Sequence, residues 1–97
     1  MIKNNILLDK SFSFALNILT ACKEAPKSYQ EKIILTQLIK SATSIGANLN
    51  EAIYGNSRAD FISKLTISLK ETGETIYWLQ LLQKSSLLQL MIVYCHK

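Results

Sequence analysis

The sequence predicts an all-α protein, an antiparallel up-and-down helical bundle of three long helices with a short or truncated fourth. Three observations carry this. Apolar residues recur at three- and four-residue steps through three successive stretches, and no run alternates in the manner of a strand. Two Ser-x-x-acid pairs, Ser28/Glu31 and Ser57/Asp60, have the spacing with which a serine caps a helix start. The break Tyr54-Gly55-Asn56-Ser57 is so short that the helices on either side of it must lie antiparallel as neighbours.

The first helix is expected over about 9–24, where Leu8, Phe12, Ala15, Leu19 and Cys22 form one stripe and Phe14, Ile18 and Ala21 widen it. Pro26 ends the pattern, and Lys27 belongs to the linker. The second helix is expected over about 28–54. Its seam, Leu35, Leu38, Ala42, Ile45, Leu49 and Ala52, keeps a coiled-coil-like repeat and predicts shallow-angle packing. Gly55 is the expected stop. The third helix is expected over about 57–85, with Ile62, Leu65, Leu69, Thr72, Ile76 and Leu79 as its inner seam, flanked by Phe61, Trp78 and Leu82. The remaining segment, 86–97, is apolar on every side from Leu87 to Cys95, unlike a surface helix. All of this fits one domain of 97 residues.

Composition narrows the function classes. A hydrophobic content of 48% with three glycines and one proline favours a helical globular protein and argues against a disordered chain. The net charge of +4 comes from ten lysines and Arg58, interleaved with seven acids, and forms no dense basic arm. Cys22 and Cys95 have no metal-ligand or disulfide spacing and read as small core residues in a reducing cytoplasm. The N-terminal apolar stretch is too short for a signal peptide, and no run approaches the ~20 residues of a membrane span. A cytoplasmic protein with no membrane contact is expected.

A second stripe runs beside the seam of the second helix, at Ser41, Ser44, Asn48 and Glu51; the third helix offers Lys64, Ser68, Glu71 and Glu74 on a comparable line, with Trp78 beyond. Small residues around Gly46 permit close backbone approach, so this stripe reads as a packing or assembly face that sets register and partner choice. The same carboxylates raise the alternative of a dinuclear metal site. That chemistry asks for Glu-x-x-His on two helices, and the sole histidine is His96, so no metal site is assigned. Gly46, Gly55 and Gly73 are isolated and build no phosphate loop, and no base stands beside a nucleophile. No catalytic residues and no cofactor are expected. Nucleic-acid contact remains, through Lys32, Lys40, Arg58, Lys64 and Lys70: lysines suit sequence-independent phosphate contact, and an oligomer multiplies a weak field.

The string from Gln37 to Asn48 with Glu51-Ala52 resembles the 23S rRNA intervening-sequence protein family. So do Asp60-Phe61-Ile62-Ser63-Lys64-Leu65, Lys70-Glu71, Glu74-Thr75 and Tyr77-Trp78-Leu79, and the early Lys10-Ser11-Phe12-Ser13-Phe14-Ala15. The resemblance spans roughly 9–82. It implies an antiparallel four-helix bundle, relatives that assemble as ring-shaped pentamers, and a likeness to the accessory protein of diversity-generating retroelements, which works with nucleic acid. It brings no catalytic residue set. The family's full amphipathic fourth helix has no counterpart after Ser86, which predicts an uncovered groove, and Gly73 stands where the family has a better helix former. The function expected is a non-enzymatic homo-oligomeric scaffold, a pentamer by resemblance, that contacts RNA or DNA. The alternative is a protein-interaction module without nucleic acid, and a metal-dependent enzyme comes third.

Overall fold

In a computed structural model, residues 5–24 and 28–85 are described, and they form three helices: α1 (Ile6–Glu24), α2 (Tyr29–Ile53) and α3 (Arg58–Lys84). Segment 86–97, Pro26 and Lys27 lie outside the described residues, and with them the expectation of a short fourth element.

Each start has a local cause. At α1 the Leu8 amide donates to Asn5 Oδ1 at 3.0 Å, so Asn5 caps the helix and it begins at Ile6, ahead of the start expected at about 9. At α2 the capping box is complete, with Glu31 N–H donating to Ser28 Oγ (3.2 Å) and Ser28 N–H to Glu31 Oε1 (2.7 Å). At α3 the Asp60 amide donates to Ser57 Oγ at 3.0 Å. The α2–α3 connection turns tightly at Gly55. A Cβ there would displace the Asp60 carboxylate, which can turn aside, and would stand 3.0 Å from the Glu51 carbonyl, so a larger residue fits only with a small shift of the turn.

Helix α2 is central: it packs against both α1 and α3, which barely touch each other. Contacts fix the directions. Lys64, Ser68 and Thr75 of α3 meet Glu51, Ile45 and Ser41 of α2, rising along one helix and falling along the other, so the pair is antiparallel. Ser11 of α1 lies against Gly46, where a Cβ would stand 3.0 Å from Ser11 Oγ. Farther along, Cys22 and Leu35 line one groove, so α1 and α2 are antiparallel too.

The α2 seam packs as the repeat predicts: Leu35, Leu38, Ala42, Leu49 and Ala52 are buried and Ile45 is half-buried. The main core, Ile18, Cys22, Leu35, Leu38, Ala42 and Leu82, gathers where α1 ends and α2 begins. The seams of the other two helices differ from expectation. On α3 the buried residues are Ser68, Thr75 and Leu82, while Ile62, Leu69 and Ile76 are exposed, Leu69 at 73%. On α1 the buried residues are Ser11, Ile18 and Cys22, and Phe12 is 71% exposed. The cause is common to both. Serine and threonine let two helix backbones come closer than leucine does, and their hydroxyls bond to carbonyls or each other once inside, so the close-packed face is the small one. An apolar count finds the greasiest arc of a helix, and here part of that arc points away from α2, at Phe12 and Leu19 of α1 and at Ile62, Leu69 and Ile76 of α3. Phe14, Ile18, Ala21 and Cys22 of α1 and Trp78, Leu79 and Leu82 of α3 join the core as expected.

Candidate nucleic-acid and assembly surfaces

The α2–α3 face is a line of polar contacts. Ser41, fully buried, has its Oγ 2.9 Å from Thr75 Oγ1, and Thr75 Oγ1 also reaches the Glu71 carbonyl at 2.8 Å. Ser68 Oγ donates across the interface to the Ile45 carbonyl at 2.9 Å. At the hairpin end Lys64 Nζ pairs with Glu51 at 2.8 Å. That hydrogen bond, and then the carboxylate's charge, raises the Lys64 pKa above its ordinary 10.5. Ser44 and Asn48 bond within α2, Ser44 Oγ to the Lys40 carbonyl (2.7 Å) and Asn48 Nδ2 to the Ser44 carbonyl (2.8 Å). Ser41, Ser68, Glu51 and Lys64 are therefore engaged inside the chain. Glu71 is half-buried and Glu74 exposed. Trp78 is half-buried against the core, edge-on to Tyr77 with ring centroids 4.9 Å apart, and its buried Nε1–H has no acceptor among the described residues. Thr75 is the member that sequence reading missed; it continues the Ser68 line by one heptad, and that spacing is the signal that marks it.

The five cations do not converge. Lys32 and Lys40 are both exposed on α2, but eight residues put them ~12 Å and ~80° apart. Arg58 opens α3, and Lys70 stands ~120° round the same helix; both are exposed. Lys64 is the one engaged in an ion pair among the described residues. A protomer thus presents separate positive points and no focused cleft. Among the described residues no three His, Cys, Asp or Glu side chains group as metal ligands, and no helix is long and apolar enough to cross a membrane.

The concave feature is apolar. A groove between α1 and α2, about 610 Å³, is lined by Phe12, Ala15, Leu16, Thr43, Gly46 and Ala47 among others. It adjoins a second hollow of about 530 Å³ that shares Leu19 and ends at Lys23 and Lys32.

Compared with known proteins, residues 3–92 match the 23S rRNA-intervening sequence protein family. The chain belongs to that family. A solved structure of an S23 ribosomal protein family member from Bacteroides thetaiotaomicron VPI-5482, described as a protein with unknown function, is similar at 46% identity and a TM-score of 0.75. The match covers 82% of this chain and 74% of that one. No curated protein matches the chain. Membership in the 23S rRNA-intervening sequence protein family agrees with the residue strings read from the sequence, and it assigns no reaction to the surfaces described above.

Proposed function

We propose that this chain is a non-enzymatic, cytoplasmic scaffold that associates with copies of itself and contacts the phosphate backbone of RNA or DNA through its summed basic surface. The observation that carries the reading is a pairing of features on one protomer. Large apolar side chains stand in solvent on α1 and α3, and Lys40 and Lys70 stand exposed outside the one ion pair described. Exposed apolar stripes of this kind mark interaction surfaces. Isolated lysines give a weak field singly and a strong one when symmetry repeats them.

The test is salt-dependent binding to two nucleic acids of unrelated sequence, measured on the peak whose mass is determined by light scattering. The expected result is a multi-subunit mass, little sequence preference, and affinity falling linearly in log–log form with salt. Lys40→Glu with Lys70→Glu should lower affinity for both nucleic acids alike and flatten the slope by about one for each phosphate no longer neutralised. Unchanged binding in that double variant would remove these lysines from the phosphate-binding surface.

A second reading, a protein-interaction module without nucleic acid, is favoured by the scatter of the five cations. An assembled protein that binds neither nucleic acid at low salt would establish that reading in place of the first.

A further inference from the structure

Helix α3 has a third face. At ~100° per residue, Ser68, Thr75 and Leu82 point at α2, and Ile62, Leu69 and Ile76 form an exposed apolar ridge ~120° away. Lys70, Gly73, Tyr77 and Lys84 are all exposed and share one ~60° arc, ~170° from the α2 line. This arc is the outward side of the hairpin, distinct from both the packed line and the ridge.

Tyr77 is the aromatic of that arc, 57% exposed. Its ring stands edge-on to Trp78, at 4.9 Å between centroids, and Trp78 is packed against the core, so the exposed ring has a fixed neighbour. One turn back is Gly73, where a Cβ would meet nothing within 4 Å. Helical side chains lean toward the N-terminus, so this open room lies on the side to which Tyr77 leans. Glycine is a poor residue for a helix interior, and the packing of α3 makes no use of it here. Lys70 and Lys84 stand ~10 Å from Tyr77 along the axis, one on each side, and neither is in an ion pair among the described residues. Glu74 is the acid at the margin, ~40° round from Lys70, so the positive field of the two lysines is small. An open aromatic ring, room beside it for a planar group, and a cation to either side are the parts with which proteins hold single strands.

We infer that Tyr77 stacks on one unpaired base, with Lys70 and Lys84 on the phosphates to either side, so that the nucleic acid taken by this chain is single-stranded. This rests on the phosphate-contact reading above and names the form of nucleic acid that satisfies it. A duplex keeps its bases stacked on one another and offers the arc only its phosphates, for which two lysines beside Glu74 are a weak site. A single strand adds the stack. Stacking accepts any base, since every base has a π-face, so the site is tolerant of sequence.

The test is fluorescence anisotropy at one low salt concentration with two labelled probes, a thymidine oligonucleotide of ~15 residues, comparable to single-strand site sizes, and a duplex of the same length. Tyr77→Ala should weaken single-strand binding roughly tenfold, the loss of one base stack, and leave duplex binding unchanged. Tyr77→Phe should bind as wild type, because the ring face and not the hydroxyl makes the contact. Lys84→Ala should flatten the single-strand salt slope by about 0.7, the share of one phosphate. Gly73→Leu fills the room beside the ring with a good helix former and should weaken the single strand several-fold at unchanged helicity by circular dichroism. Single-strand binding that is unchanged in Tyr77→Ala, or lost equally on both probes, overturns the inference and leaves phosphate contact standing. If Tyr77→Ala loses helicity, Gly73→Leu decides, and unchanged binding in it overturns the inference. A wild type that binds neither probe overturns both this inference and the reading beneath it.

Discussion

The Ser41–Thr75 pair makes the most exacting prediction about this fold, because two buried hydroxyls share one hydrogen bond and each has a second outlet. Both residues are nearly inaccessible, at 0% and 2% exposure. If Ser41 becomes Ala, Thr75 still donates to the Glu71 carbonyl at 2.8 Å; if Thr75 becomes Val, Ser41 still donates to the Leu38 carbonyl at 3.2 Å. Neither single change strands a buried donor, so each should cost only the net worth of one hydrogen bond, ~1 kcal/mol, and not the larger desolvation penalty. For a chain of this size that is a fall of roughly 4–8 °C in Tm. The double variant should cost about the same ~1 kcal/mol as either single one, a coupling of ~1 kcal/mol in a double-mutant cycle. The assay is thermal and urea unfolding of the four proteins by circular dichroism at one fixed protomer concentration, since assembly makes apparent stability concentration-dependent. Costs that simply add, with coupling below ~0.3 kcal/mol, would refute the shared bond and with it the register of α2 on α3.

Two further outcomes follow from the same geometry. Gly73 sits on the exposed side of α3, where a Cβ meets nothing within 4 Å, so Gly73→Ala should stabilise the protein by ~0.5–1 kcal/mol, visible as a raised Tm. The raised pKa of Lys64 makes its contribution fully present below its unfolded value and lost as pH climbs through the folded one above 10.5. The stability gap between wild type and Glu51→Gln should therefore hold steady from about pH 7 to 9 and narrow only in stronger alkali; a gap that closes by pH 8 would show that the pair is not the source.

Sequence reading succeeded where one signal decided the structure. The serine caps at 28 and 57 place two helix starts within a residue, because the cap bond is local and involves side chains three positions apart. The α2 seam is legible because a central helix is covered on both sides, so its apolar stripe and its buried stripe coincide. That coincidence is partial on α1 and α3, where Ile18, Cys22 and Leu82 are buried but other stripe members are not. Leu69 and Ile76 lie on the greasiest arc of α3, yet Ser68 and Thr75 face α2. What decides is the distance of closest approach between two backbones, a property of the pair that one helix's periodicity does not contain. Seven-residue spacing of small hydroxyl residues, Ser68 to Thr75 opposite Ser41, is the pairwise signal that does contain it. The five cations were less legible still. Their distribution depends on helix rotation, and Lys64 becomes a structural partner of Glu51 once α3 is turned.

A hairpin closed by hydroxyls distributes its free energy differently from one closed by leucines. Each hydroxyl bond across α2–α3 contributes ~1 kcal/mol, against roughly 1.5–3 kcal/mol for burying a leucine or isoleucine. The protomer thus gives up apolar burial on α3 and gains register, since Ser41, Ser68 and Lys64 each meet one specific partner. Turning α3 about its axis to bury Leu69 would not recover the difference. Leu69 would then take the place of Ser68 against Ile45, and Ile76 that of Thr75 against fully buried Ser41, and such overpacking costs ~1–3 kcal/mol. Two hydroxyls would also lose their cross-helix partners. The close hairpin and the exposed ridge are therefore one property seen from two sides: the residues that fix α3 on α2 hold Ile62, Leu69 and Ile76 outward, where their burial is available only to whatever next covers them.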